Sequence, residues 1–490
     1  MENLVIQVKK NITLDKFDTS VKMSLSSDIK SILNVNAKSV IASVEQSGNI
    51  VSLSGRVFVS VLYLNQQNQV QSGETSVDFI QKQQLQIALS DLFASDETSV
   101  KIDTFSGAEI LCSVTHNTQI YGIYKYEVSD FVGENTAFVV NKKSVELNKF
   151  IASASDDFVV AEEQESNILN MQILKADAKV LSFVSHVNVD KVVVEGKLLV
   201  ESIYKDLDGM GLISREIEFK QEIEANGTFP SMISDAVVEV RNITVTPEEK
   251  QDKTNIVYAI DVFAKAYVFE KDTRDIATDM FSLDSEIQNT YDYLEFKNYS
   301  CKRETSDVIM SLTDVSTIEN FDDIVGVYSP KVKIEIVNND DLKTYAEGKV
   351  SAFALYKSGE EIKRHDFSYP VKFECEKEAL EILEDVSVQA EISSFKVKAG
   401  KDLEVAYKMS TMFKFVTELS ETYVKSFEIK EEKQKNDYGI KVYVTKAGET
   451  LFDVAKVLSV RPEIIEEQNE IDGVFEQGEK IYVYSPANLA

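Results

Sequence analysis

Residues 55–63 read GRVFVSVLY, and the reading of this stretch decides the fold. Val57, Val59, Val61 and Tyr63 alternate with Arg56, Phe58, Ser60 and Leu62. That is a period of two, so it predicts a strand with one face turned to a core. The stretch has two further copies, GKLLVESIY at 196–204 and GKVSAFALY at 348–356. Each copy opens on glycine (Gly55, Gly196, Gly348), has a basic second and an aliphatic third residue, and carries an aliphatic eighth before a closing tyrosine (Tyr63, Tyr204, Tyr356). The glycines are 141 and 152 residues apart. These are domain-sized periods, well beyond the 20–50 residues of a solenoid.

The flanks repeat as well. An apolar run precedes each copy (Ile32–Val35, Met171–Leu174, Lys331–Ile334), and a polar turn follows it (Asn65–Gln69, Lys205–Gly211, Lys357–Glu361). A second extended run with an aromatic then appears at Val77–Phe79, Ile217–Phe219 and His365–Phe367. This is a hairpin pattern written three times. Further strand-like runs lie at Ala236–Val240, Val257–Val262 and Val386–Ala390, and Phe229–Met232 and Glu378–Leu380 read as short turns of helix. The expectation is a mainly β chain of three tandem β-rich units, 1–145, 146–290 and 291–429. A polar stretch at 430–440 contains no large apolar cluster and reads as a flexible tether.

The end of the chain changes character. From Tyr443 to Tyr484 the sequence predicts strand, helix, helix, strand, a small α+β (βααβ) module over 441–485. Val442 and Val444 share one face of the first strand with Tyr443 opposite. Gly448 supplies a turn, and Thr450 reads as an N-cap with Asp453 as the capping-box acid. Leu451, Val454, Ala455 and Leu458 form an apolar helical stripe. Pro462 suits the first turn of the second helix, Asn469 ends it, and Ile481 and Val483 belong to the closing strand.

In the order and spacing of these features the module resembles a LysM domain, a unit that docks on N-acetylglucosamine-containing glycans. The resemblance implies a ligand groove between two loops, with Gly448, Glu449, Thr450 and Leu451 on one side and Asn469, Glu470, Ile471, Asp472 and Gly473 on the other. Thr450 read alone is equally a helix cap, and Asn469 a turn residue. The whole layout, three Gly-basic-…-Tyr hairpin units and a terminal LysM-like module, resembles SipL-type spore morphogenesis proteins, with three SPOCS domains and a LysM domain. That resemblance implies a non-enzymatic role in spore coat assembly in the mother-cell cytoplasm, at the forespore surface. Its implied partner is SpoIVA, the coat ATPase, contacted through the LysM module. A peptidoglycan- or cortex-binding wall anchor is the alternative. The module contains five Lys/Arg and nine Asp/Glu over 441–490, and the chain has no Trp to stack on sugar, which keeps a protein ligand in view.

Composition narrows the classes. The formal net charge is −30, which argues against nucleic acid and against adsorption to anionic lipid. The first nine residues have no secretory-signal pattern, and no run of 18 apolar residues is present, so membrane insertion is not expected. Cys112, Cys301 and Cys375 read as small buried hydrophobes without a metal-ligand spacing. No nucleophile elbow, phosphate loop or zinc motif occurs. His116, His186 and His365 fall at non-equivalent positions and read as surface or incidental, and acid pairs such as Asp156-Asp157, Glu162-Glu163 and Asp322-Asp323 read as solvated loops. No catalytic residue, metal or cofactor is expected. Exposed strand edges leave self-association open.

Overall fold

The computed structural model describes residues 2–130, 137–207, 209–250, 252–312, 324–340, 342–398, 402–433, 439–469, 471 and 475–484. Its described residues are strand almost throughout, with two helices near the C-terminus. The first repeat contains β1 (Glu2–Thr13), β2 (Phe17–Ser24), β3 (Ile29–Ser47), β4 (Ile50–Asn65), β5 (Val70–Gln84), β6 (Ser90–Ser106) and β7 (Glu109–Asp130). The second contains β8 (Phe138–Ser166), β9 (Gln172–Asn188), β10 (Lys191–Lys205), β11 (Met210–Glu224), β12 (Ile233–Lys250) and β13 (Lys253–Ser282). The third contains β14 (Ser285–Leu312), β15 (Ile324–Asn339), β16 (Lys343–Ser358), β17 (Glu361–Glu376), β18 (Ile382–Lys398) and β19 (Asp402–Glu432). The divisions drawn from the sequence after residues 145 and 290 therefore fall inside β8 and β14.

Every repeat uses the same two antiparallel sheets. One is built on the nine-residue stretch, as β3-β4-β5, β9-β10-β11 and β15-β16-β17. The other joins the first, last and penultimate strands, as β12-β13-β8 and β14-β19-β18. In the first repeat two shorter strands, β1 and β2, pair end to end along β7, with β6 on the same strand. The inward faces of the two sheets make the core of each repeat. Val57, Val59, Val61 and Tyr63 meet Val21, Ile110 and Val114 in the first, and Val350, Ala352 and Ala354 meet Val405, Tyr407 and Met409 in the third.

The signature glycines have a steric cause. A Cβ on Gly55 would lie 2.6 Å from the Val40 carbonyl oxygen, one on Gly196 2.2 Å from that of Ser182, and one on Gly348 2.1 Å from that of Lys333. Each glycine sits beside a β-bulge of the preceding strand, where the register slips between Ile41 and Ser43, between Val180 and Ser182, and between Ile334 and Ile336. The bulge pushes one backbone into the space a side chain would need. The basic second residues lie outside the core and pair with acids: Arg56 with Asp78 at 2.6 Å, Lys197 with Glu216 at 3.2 Å and Lys349 with Glu335 at 3.2 Å.

The eighth residues have a different task. Leu62, Ile203 and Leu355, one from each repeat, are buried in a single cluster with Leu33, Leu174 and Tyr328. Three equivalent positions thus converge between the repeats. A second cluster draws Val8 and Tyr126 from the first repeat, Val145 and Ile276 from the second, and Leu294 and Tyr423 from the third. Beside it the buried Lys9 ammonium pairs with Asp235 and lies 4.9 Å from the ring centres of both Tyr121 and Tyr267.

The terminal module consists of β20 (Ile440–Val444), α1 (Leu451–Leu458), α2 (Pro462–Gln468) and β21 (Lys480–Tyr484). It packs against the second repeat. Phe452 meets Phe281 edge-on at 5.3 Å, Val139 and Leu283 join the module's own core, and Lys456 bonds Asp279 at 2.6 Å. Residues 430–432 belong to β19, where cross-strand pairing with β14 overrides the polar composition, and Lys433 donates to Ser459 Oγ at 2.9 Å. Residues 434–438 of the expected tether lie outside the described residues. The expected helical turns at 229–232 and 378–380 are hydrogen-bonded turns instead, closed by Met232 N to Phe229 O and Glu381 N to Glu378 O, both 3.0 Å. Strands on either side leave no room to propagate them.

Candidate binding surfaces of the terminal module

The loop before α1 is held from both ends. Gly448 adopts φ +84°, and its N–H donates to Phe475 O at 3.3 Å. Phe475 N–H returns to Glu449 O at 3.2 Å, so the loop entering α1 lies beside the chain that leads into β21. Thr450 forms a full capping box: Asp453 N–H donates to Thr450 Oγ1 at 3.3 Å, and Thr450 N–H to Asp453 Oδ2 at 2.8 Å. The Glu449 carboxylate is taken up locally, accepting from the Tyr443 hydroxyl and the Lys446 N–H, both at 2.8 Å. That hydrogen bond raises the Tyr443 phenol above its ordinary value.

Asn469 is equally committed. Its amide donates to Ile465 O at 2.9 Å and Tyr482 O at 2.8 Å, and accepts from Tyr482 N–H at 2.9 Å. Gln468 does the same to Tyr484, accepting its N–H at 2.7 Å. Two amides therefore occupy the edge of β21 that β20 does not. Of the groove residues expected from the sequence, Gly448 and Thr450 are exposed, Leu451 and Ile471 are half-buried against the module core, and Glu449 and Asn469 serve the module's own backbone. Glu470, Asp472 and Gly473 lie outside the described residues.

A second surface escaped the sequence reading. The alternation in β20 holds, but Tyr443 turns to the core while Ile440, Val442 and Val444 stay more than half exposed. In the β20–β21 pairing Ile440 faces Tyr484 and Val442 faces Tyr482, and both tyrosines are also exposed. The result is an apolar sheet face of five side chains. The apolar phase of a strand is ordinarily the inward one, and only the small size of the module, which cannot bury both phases, pointed the other way.

The chemistry-bearing residues elsewhere are structural. His116 is fully buried, not a surface residue. Its Nδ1 lies 2.6 Å from Asp96 Oδ2, its Nε2 3.0 Å from Thr19 Oγ1, and its ring stacks on Phe17 at 4.2 Å. The hydrogen bonds offset the cost of burying the imidazole and make it part of the first repeat's core. His186 is exposed, 3.8 Å from Glu195, and partial burial holds the His365 imidazole below its ordinary value. Cys112 and Cys375 are buried and free; the side chain of Cys301 lies outside the described set. The pairs Asp156-Asp157 and Glu162-Glu163 are in β8, not in loops, where Asp157 binds Arg241, Glu162 binds Arg215 at 2.8 Å and Asp156 accepts from Gln221 at 2.7 Å. Asp322 and Asp323 lie outside the described residues. Among the described residues there is no group of three metal-ligating side chains, and no helix long and apolar enough to cross a membrane.

Residues 171–248 match the family model described as SipL, SPOCS domain. The segment runs from the residue before β9 almost to the end of β12 and contains the Gly196–Tyr204 stretch. The second repeat thus carries a SipL-type SPOCS domain, which relates the chain to sporulation proteins. No curated protein and no solved structure matches the chain.

Proposed function

We propose that this protein is a non-enzymatic assembly protein of the spore coat, working in the mother-cell cytoplasm at the forespore surface. Its terminal LysM-like module binds a SpoIVA-like coat ATPase, and the three SPOCS-like repeats form the rigid body from which that module is presented. The match of residues 171–248 to the SipL SPOCS domain carries the reading. The other two repeats support it by sharing the glycine-beside-bulge geometry and the two-sheet plan of the matched one.

The surface of the module favours a protein as its ligand. Valines and tyrosines on an open two-stranded sheet offer the desolvation energy and flat apolar contact that protein interfaces use. Val442 and Val444 still expose just over half of their surface, and burying that remainder contributes about 1 kcal/mol each. The outer edge of β20 pairs with no strand among the described residues, so an extended segment of the partner can add there. Further weak contacts from the repeats would add by effective concentration, because the docked module holds a fixed position on them.

A paired pull-down tests this. Full-length protein and the full-length double variant Val442→Ser/Val444→Ser are each offered purified SpoIVA and, separately, purified peptidoglycan. Retention of SpoIVA by the wild type and its loss in the variant is expected. Equal retention by both would remove the sheet face from the reading. Retention of peptidoglycan alone would make the module a glycan anchor working through Gly448, Thr450 and Leu451.

A further inference from the structure

The second and third repeats meet at a cluster of four charged side chains. Glu216 of β11 reaches across the seam, and its Oε1 accepts from the Lys408 ammonium of β19. Its other oxygen, Oε2, is 3.2 Å from the Lys197 ammonium of β10. Lys408 also stands directly opposite Glu391 in the β18–β19 pairing. Two carboxyl groups from different repeats thus flank one ammonium.

They do not share it equally. Glu216 takes both lysines, whereas Oε2 of Glu391 is buried and has no hydrogen-bond partner among the described residues. The Glu391 carboxyl lies within hydrogen-bonding reach of that of Glu216. Two ionised carboxylates at such a separation can only accept, and they repel each other. A single proton between them turns the contact into a hydrogen bond. That proton belongs on Glu391, because an ionised Glu216 is already balanced by two ammonium groups.

We propose that Glu391 is protonated and donates a hydrogen bond to Glu216, so that the junction of the second and third repeats is a clasp that closes with one proton and loosens as pH rises. Burial foremost, then the charge of Glu216, raises the Glu391 carboxyl above its ordinary value, with the Glu216 hydrogen bond and the charge of Glu201 acting the same way and Lys408 opposing them. Glu216 moves the other way, held low chiefly by the Lys408 hydrogen bond. Three further charges surround the pair. Lys179 of β9 donates to Ala390 O at 2.7 Å, Glu218 of β11 lies 3.4 Å from Lys197, and Asp307 of β14 faces Lys408 from its other side. Lys331 of β15 acts on Lys179 at one remove. A carboxyl raised on folding lends stability that is complete below its unfolded value of about 4.3 and is lost as pH climbs through the folded value.

The experiment uses the full chain and Glu391→Gln, which keeps a donor for Glu216 and cannot ionise. Hydrogen exchange of β18 is compared between the two proteins at pH 5.5 and at pH 8.5, so that intrinsic rates cancel at each pH. Similar exchange at pH 5.5 and several-fold faster exchange in the wild type at pH 8.5 are expected. The same wild-type-to-variant ratio at both values overturns the proposal. Infrared titration of the wild type supplies a readout independent of any variant. A protonated-carboxyl band present at pH 5.5 should fade towards pH 8.5, and its absence at pH 5.5 overturns the proposal as well.

Discussion

At the scale of single residues, the repeated stretch was legible because its conserved-looking positions have separate physical causes. The aliphatic third positions Val57, Leu198 and Val350 are fully buried, as the period of two demands. The glycines were visible as a pattern, but their cause was not, since a bulge in a neighbouring strand leaves no mark in the strand it crowds. Gly196→Ala should cost about 1–3 kcal/mol through overpacking against Ser182 and Phe183. Gly439→Ala, with nothing within 4 Å of the added carbon, serves as control. Urea unfolding of both variants decides the matter, and equal midpoints would refute the steric account. His116 was misread because its partners Asp96 and Thr19 are 20 and 97 residues away. A lone histidine in a sequence carries no sign of a carboxylate that arrives from another strand.

At the scale of elements, strands and helices followed the sequence closely where periodicity was strong: α1 begins at the expected N-cap Thr450, and α2 begins at Pro462 and ends at Asn469. The caps also predict graded losses. Thr450→Ala removes one capping box and should cost about 1 kcal/mol. Asn469→Ala strips three hydrogen bonds from the α2 end and the β21 edge, and should cost more, about 2–3 kcal/mol. Hydrogen exchange at the Tyr482 amide measures this locally, and faster exchange in Thr450→Ala than in Asn469→Ala would contradict it. The β1–β12 contact predicts a pH dependence. Burial alone would raise the Asp235 carboxyl, but the charges of Lys9 and Lys414 and the Lys9 hydrogen bond outweigh it and hold it below its ordinary range. A carboxylate held low lends stability above its unfolded value, near about 4, and loses it as pH falls through the folded value. Asp235→Asn should therefore be less stable than wild type by about 3 kcal/mol at pH 7. That gap should shrink in acid; urea midpoints at pH 7 and pH 3 would expose the error if it stayed constant.

At the scale of the molecule, the sequence announced three units and a terminal module but not their association. An eighth-position aliphatic looks like any core residue until three of them are found side by side. Leu62→Ala and Leu355→Ala should each cost about 2–5 kcal/mol. Although 293 positions apart in the chain, they share one cluster, so the double variant should depart from additivity by at least about 0.5 kcal/mol. Strict additivity in denaturant titrations would mean that the repeats behave as beads on a string. The docking of the terminal module was equally illegible, because Phe281 lies at the end of a long strand and Phe452 in a short helix, with 171 positions between them. Three copies joined in one chain also differ in kind from three separate subunits. In a symmetric trimer every substitution is made three times and every seam is the same seam. Here the seam between the second and third repeats holds Glu216 and Glu391, while the seam between first and third is crossed by Arg364, which donates to the Leu33 carbonyl at 2.6 Å. Covalent linkage has released each junction to change alone. Whatever settles in one of them does so with a stoichiometry of one per molecule.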